Sequence, residues 1–376
     1  MAVSEAIQTI SRLTPLADVL LMIDAEVLPI TQRTIDVFAG AGRTLAADAV
    51  APSRPASSLA LHDGWAINAD ETLGAGGHAP APLLRVPSRI ETGQALPAGT
   101  DSVAPFDAVK VSQGRAEALL TVSPGDGVLT AGSDSDAVIP LRRAGERLRS
   151  MDLAVFSAAG IARIQVREPR IRVLPVRGSG IISAAARMVA ADVDRRGGAA
   201  RLDESGRGLD VAMAADAADA IVAIGGTGSG RNDNSVQILA REGQLRVHGL
   251  ALTPGETSAF GFVGALPVLL LPGRLDAAVS VWLMVGRRLL DRLAAAKGAE
   301  NEPGETLPLA RKVSSTIGLA EVVLIRRTSG QAEPMAIKYL PLSSLARSDG
   351  WILVPADSEG YSAGSPVRVR PWPLVP

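Results

Sequence analysis

From Arg170 onward, short apolar runs alternate with helical patterns, and this alternation constrains the fold more than any other feature of the chain. "RIRVLPV" reads as a strand and "SAAARMVAADVDRRGG" as a helix stopped by glycine. "DAIVAI" is a second strand, followed by a glycine-rich loop and a short helix with Val236, Leu239 and Ala240 on one face. "PVLLLPG" is a buried strand, and "DAAVSVWLMVGRRLLDRLAAA" a long amphipathic helix. Strand–helix alternation of this kind implies a mostly parallel sheet covered by helices. Ligands of such sheets sit at the carboxyl ends of the strands, where two glycine-marked loops fall, at Gly225 and at Gly273.

The first loop, "IVAIGGTGSGRNDN", places Gly225, Gly226, Gly228 and Gly230 within six residues. A strand–glycine loop–helix turn of this type lets backbone N–H groups approach an anion closely. It is not a Walker loop, because no Lys-Ser/Thr follows, and it lacks the G-x-G-x-x-G spacing of a dinucleotide fingerprint. Asp233, near the next helix start, reads equally as a helix N-cap or as a site carboxylate. The second loop, "LLLPGRLDAA", carries Asp276 as another candidate cap. Two such loops in one sheet can converge on one ligand.

Composition bounds the chemistry. A chain of 376 residues corresponds to about two to four domains. With 38 basic and 39 acidic residues the formal charge is −1, so no basic surplus exists for nonspecific nucleic-acid binding. Zero cysteines exclude disulfides, thiolate zinc sites and cysteine nucleophiles. His62, His78 and His248 are too scattered for a histidine-rich metal centre. The N-terminal stretch has Glu5 and Asp18 among its apolar residues and no secretory pattern. The longest apolar helical stretch, Ala277 to Gly286, is far short of a membrane span. The expectation is a soluble cytoplasmic protein without membrane or nucleic-acid partners.

Outside the alternating region, Thr14-Pro15 marks a helix start, with Leu16, Val19, Leu20 and Ile23 at helical spacing. "MDLAVFSAAGI" reads as a helix ending at Gly160. Between them, proline and glycine punctuate short strands such as "SVAPFDAVKV" and "AEALLTVSP". "GAENEPGETL", residues 298–307, is a polar hinge before the strands "EVVLIRR", "GWILVPA" and "SPVRVRPWP". The expected fold class is α/β multidomain. Residues 1–50 with 137–168 form an extended helical domain and 51–136 a β-rich insertion. A mostly parallel α/β ligand-binding domain spans 169–298, and a small β domain 305–376.

Several stretches, in collinear order, resemble the molybdopterin molybdenumtransferase family, the molybdenum insertases called MoeA in bacteria and matched by the E domain of gephyrin. They are "HDGWAINADE", "RIETGQALPAGTDSV", "GSD" at 132–134, "GGTGSGRND", "LTPGETSAFG", "LPGRLDAA" and "LSSLARSDGWILVP". The resemblance implies a MoeA/MogA-like α/β domain, a C-terminal β-barrel-like domain and an elongated homodimer. It implies adenylylated molybdopterin and molybdate as substrates, with AMP released and Mg2+ as the divalent ion, and partners among cofactor-biosynthesis proteins or molybdoenzymes. Carried over by position, the catalytic set is Asp63, Thr92, Asp134 and Asp233, with Asp63 and Asp233 as metal ligands. The binding set is Gly225, Gly226, Thr227, Gly228, Ser229, Gly230, Arg231, Pro254, Gly255, Pro272, Gly273 and Arg274.

The chain also departs from the family pattern. The acidic "TGDEL" signature is replaced by "VRGSGI" at 176–181, and the following Asp-x-Asn by part of "SAAAR". Two lysines of the family's "KPGKP" are Thr253 and Glu256, and the Asn-Pro of "LPGNP" is Arg274-Leu275. The serine preceding the family's MDG is Ala60. Replacing lysine by glutamate beside an anion reverses the local charge. Arg177, Arg231 and Arg274 are the cations placed to restore it, or are solvated side chains. Two functions of different class follow: a divergent insertase, or a non-catalytic MoeA-like paralogue that binds molybdopterin or a partner.

Overall fold

The computed structural model describes residues 8–176, 180–206, 208–214, 218–230, 233–297 and 304–372. At its centre is a six-stranded sheet in the order Ala199–Leu202, Arg170–Pro175, Ala220–Ile224, Leu266–Leu271, Ala259–Val263, Gln244–His248. The first four strands are parallel and the last two antiparallel. The parallel strands are near-continuous apolar runs because both faces are covered. Val222, Ile224, Leu269 and Leu271 face one core, with the Gly180–Arg195 helix, Leu16–Glu26 and the Leu275–Ala294 segment. Ile221, Ala223, Val268 and Leu270 face the other, under Leu209–Ala214 and Ser235–Glu242. Each fully buried Val, Leu or Ile contributes about 1.5–3 kcal/mol, so the alternation along these strands locks their register. On the Ser235–Glu242 helix the buried residues are Ser235, Val236 and Leu239, while Ala240, expected beside them, is exposed.

The long amphipathic helix is interrupted: Leu275–Val281 runs into a π-helical turn, Trp282–Gly286, before Arg287–Ala294. A Cβ at Gly286 would lie 2.1 Å from the Trp282 ring, so only glycine fits beneath the indole. The turn aims Trp282 Nε1 at buried Asp192, 2.8 Å away, and Arg287 Nε donates to the same carboxylate at 2.8 Å. Burial works to raise the Asp192 carboxyl. The Arg287 charge and the hydrogen bonds from Arg287 and Trp282 outweigh it and hold the group below the usual carboxylate range.

The part expected to be helical, 1–50 with 137–168, carries the helices Leu16–Glu26 and Ser150–Ala158 and also a three-stranded antiparallel sheet. In it Arg163–Arg167 lies between Arg33–Asp36 and Thr44–Leu45. Leu45, Phe156, Ile164 and Val166 form its core. The pairing of residues 33–45 with 163–167 brings the two ends of the insertion together, so the intervening strands form small sheets of their own. The C-terminal strands join a larger sheet, in the order Thr14–Pro15, Leu250–Thr253, Ala320–Thr328, Gly350–Val354, Pro366–Pro371, Glu305–Pro308. The strand entering the "TPGET" loop is thereby shared between the α/β region and the C-terminal region. Among the described residues, no helix is long and apolar enough to cross a membrane.

Candidate functional site

Three loops meet at the carboxyl edge of the parallel strands. The first follows Ala220–Ile224. Gly225 N donates to Leu271 O at 2.8 Å, which ties this loop to the neighbouring strand. Gly226 takes φ +72°, and a Cβ there would sit 2.3 Å from Ser235 Oγ, so the position requires glycine. Ser235 in turn donates its Oγ to Gly225 O at 3.0 Å and its N to Gly226 O at 3.0 Å, folding the loop back onto the helix start. Thr227 is buried, and Ser229 and Gly230 are exposed at the tip.

Asp233 does not cap the helix. Its Oδ2 accepts from Gly230 N at 3.1 Å and lies under Gly228, where a Cβ would stand 2.6 Å away. The N-cap is Asn234, which makes no capping hydrogen bond with its side chain. The helix start is satisfied instead by Gln8, whose Oε1 accepts from Val236 N at 3.0 Å and Gln237 N at 3.1 Å.

The second loop, Pro254 to Thr257, joins the first through the Thr227 and Thr257 hydroxyls, 3.1 Å apart. Gly255 has φ +145°, and its N–H donates to Glu256 Oε2 at 3.0 Å. The His248 ring lies against the Thr227 backbone, and burial holds its pKa below the usual imidazole value. The third loop is Pro272, Gly273 and Arg274. A Cβ on Gly273 would lie 3.6 Å from Gly225 Cα, so the first and third loops are in contact.

Arg274, the candidate for restoring positive charge, is already engaged. Its Nε and Nη2 donate to Asp276 at 3.1 and 2.5 Å, and its guanidinium lies 5.2 Å from the Tyr339 ring centroid. The hydrogen bond to Asp276 raises its pKa, and Glu256 adds to the effect. Arg274 therefore faces both the buried Asp276 and the glutamate that replaces the family lysine, although its side chain is 60% exposed. Asp276, read as a cap, lies in the first turn of the helix and pairs with Arg274; it also accepts from Leu340 N at 3.3 Å.

Asp63 and Thr92, far apart in sequence, are brought together in the insertion by the pairing of Gly64–Ile67 with Ser88–Ile90. Asp63 Oδ1 accepts from Thr92 N at 2.8 Å and from Thr92 Oγ1 at 3.0 Å. These two bonds, the backbone one first, hold the exposed Asp63 carboxyl below its usual value. Asp134 is exposed, and its N donates to Arg54 O at 2.9 Å. Arg177 and Arg231 lie outside the described residues.

Among the described residues, the side chains do not form a resident cage for a divalent ion. Among the described residues there is no cluster of three or more His, Asp or Glu side chains that could hold one. One oxygen of Asp63 and one of Asp233 are already committed to Thr92 and Gly230. A magnesium ion needs several oxygen ligands in near-octahedral geometry, so no step is assigned to it.

Gln8, Thr257, His248, Tyr339 and Leu340 were not singled out as site residues from sequence. Thr257 lies within the "LTPGETSAFG" stretch, whereas Gln8, His248, Tyr339 and Leu340 stand in no recognisable motif, and only their partners across the fold place them at the loops.

Comparison with known proteins agrees with this geometry. The family pattern described as MoeA N-terminal region (domain I and II) matches residues 1–160, and that described as MoeA C-terminal region (domain IV) matches residues 306–372. A protein of Methanocaldococcus jannaschii named for molybdopterin biosynthesis is 25% identical over 374 residues, covering 90% of this chain and 91% of its own. Molybdopterin molybdenumtransferase 1 of Mycobacterium tuberculosis is 26% identical over 312 residues, covering 75% and 73%. The crystal structure of the molybdopterin biosynthesis MoeA protein from Pyrococcus horikoshii superposes with a TM-score of 0.77 at 22% identity, covering 96% of this chain and all of that one. At that identity the superposition establishes the fold. The two family patterns together span more than half of the chain, and on that evidence this chain belongs to the MoeA family.

Proposed function

We propose that the protein acts in molybdenum cofactor biosynthesis by binding a phosphorylated pterin, adenylylated molybdopterin, at the three convergent loops. The observation that carries this reading is their convergence: Gly225 lies against Gly273 at the carboxyl ends of two adjacent parallel strands, and Thr227 meets Thr257 of the loop that follows Leu250–Thr253 in the larger sheet. In this reading Gly228, Ser229 and Gly230 approach the phosphate groups, Pro254–Gly255 and Pro272–Gly273 wall the pterin, and Asp233 shapes the first loop. Asp63 and Thr92 are a preorganised carboxylate–hydroxyl pair for a role at the phosphoanhydride. Molybdate is the second substrate in this reading, and both it and the phosphates need positive charge.

The charge state of the loops supports weak metal insertion. Thr253 and Glu256 stand where the family has lysines, and Arg274 is paired with Asp276. The second reading, a non-catalytic relative that keeps the pterin pocket, is favoured by this same neutralisation. Expression in a strain lacking its own insertase separates the two. Robust rescue of a molybdoenzyme establishes insertion; absence of rescue together with a pterin that co-purifies from the native host establishes binding without insertion. If neither rescue nor a co-purifying pterin is found, the proposal is wrong. We also expect a homodimer, with a sedimentation mass near twice 38.7 kDa; a monomer at micromolar concentration overturns that expectation.

A further inference from the structure

We propose that the N-terminal strap, residues 8–15, is a working part of the binding site, and that Gln8 is the positioning residue that sets the shape of the first glycine loop. This rests on the reading of those loops as the pterin-nucleotide site.

Gln8 is 8% exposed, and its amide makes four hydrogen bonds to residues more than two hundred positions away. Nε2 donates to Gly226 O at 3.2 Å and to Gly228 O at 2.8 Å. Oε1 accepts from Val236 N and Gln237 N, first-turn donors of the Ser235–Glu242 helix. One side chain thus ties both arms of the loop together: two carbonyls on the way out of the strand and two amides on the way into the helix. Glycine carbonyls and amides have many accessible orientations, so a loop this rich in glycine needs an external clamp to present a single one.

The rest of the strap reaches the second loop. Ile10 packs on Gly249, where a Cβ would lie 2.5 Å from Ile10 Cγ2. Thr14 N donates to Gly249 O at 2.9 Å, and Thr14–Pro15 pairs in parallel with Leu250–Ala251, the strand that runs into Pro254–Gly255. The strap is therefore tied to the first loop at one end and to the stem of the second at the other. The strap thus adds to the Thr227–Thr257 and His248–Thr227 contacts in fixing the relative placement of the two loops.

Two variants and two readouts test this. Backbone amide exchange needs no ligand: in Gln8→Ala, Val236 and Gln237 should exchange at least about tenfold faster, as expected for loss of a buried hydrogen-bond partner. The strand amides of Ile221 to Ile224 should keep their protection and so report an intact sheet. Gln8→Glu keeps the acceptor but loses both donors, so it should preserve protection at Val236 and Gln237. In the second readout, AMP is titrated calorimetrically into the full-length protein, with about tenfold weaker binding expected for Gln8→Ala and an intermediate loss for Gln8→Glu. Unchanged exchange at Val236 and Gln237 overturns the proposal. So does faster exchange with AMP affinity unchanged or increased, since the loop would then need no clamp. So does global loss of protection in both variants, which would make Gln8 a residue of the core. If the wild type itself fails to bind AMP, the nucleotide reading falls, and the exchange profiles of the two variants still decide whether Gln8 sets the loop.

Discussion

Two regions of this molecule hold carboxylates at positions matching family site residues, and they hold them in opposite ways. In the insertion, Asp63 stands exposed with two donors from one residue, Thr92, across a short antiparallel pairing. At the glycine loops, Asp233 accepts from Gly230 in a segment whose other bonds link Ser235 to Gly225, Thr227 to Thr257, and Gln8 to Gly226 and Gly228. The first arrangement tunes one carboxyl locally and leaves it in water; the second determines the course of a whole backbone segment. Substitutions in the cleft should therefore act through conformation and affect stability and binding together. Substitutions in the insertion should act through charge and barely affect stability.

The comparison breaks most visibly at Gly226. Gly226→Val places a side chain at φ +72° and against Ser235 Oγ, so we expect a loss on the order of 2–4 kcal/mol, read as a fall in Tm, together with loss of pterin binding. A Tm equal to wild type would mean that the loop is far more pliant than its contacts imply. Next is Glu256→Lys, which reverses the charge facing Arg274 and restores the family's residue. Anion binding at the cleft should tighten by about ten- to a hundredfold at low salt, with some metal insertion restored. No gain in rescue of an insertase-deficient strain would place the defect elsewhere, with Thr253 the next position to change.

Gly228→Val sharpens the contrast within the cleft itself. Among the described residues, the new side chain meets only the Asp233 carboxyl, the far end of a side chain that can swing away. Pterin binding should weaken at least about tenfold while Tm stays within about 3 °C; a larger fall in Tm would make this glycine structural like Gly226. The smallest effect is expected at Asp63. Its carboxyl is held below the ordinary value of about 3.9 by Thr92, so whatever stability it contributes is present above that pH and lost as the pH falls through the depressed folded value. Thr92→Val removes the hydroxyl donor but keeps the Thr92 N–H, so the Asp63 midpoint followed by NMR should move part of the way up, with Tm at pH 7 unchanged. A midpoint already at the ordinary value in wild type would show that the pair is not preorganised.

Much of the fold was legible in the sequence because it rests on short-range patterns. The apolar runs ending at Ile224 and Leu271, the glycines that follow them and the helical spacing after each specify a parallel sheet with loops at its carboxyl edge, and the structure has that sheet. The long amphipathic helix was legible as a helix but not as one broken at Trp282–Gly286. The π-turn answers to a buried partner, Asp192, ninety residues away, which periodicity does not encode. The three-stranded sheet in the region read as helical was hidden for a related reason: its strands are short and pair residues 33–45 with 163–167.

What the sequence by itself determined about this protein is its family, its central sheet and the identity of the residues around the loops, since each depends on local composition and order. Only the tertiary structure decided what those residues do to one another. Arg274 reads as a free cation beside a glycine loop, yet in the fold it is paired with Asp276. Asp233 reads as a helix cap, yet the helix start is satisfied by Gln8 from the other end of the chain. The physical reason is the range of the interactions. Backbone preference and hydrophobic period act over a few residues and leave their mark in every window of sequence. Charge neutralisation and hydrogen-bond satisfaction depend on distance in space, and Gln8 meets Val236 only across the tertiary fold.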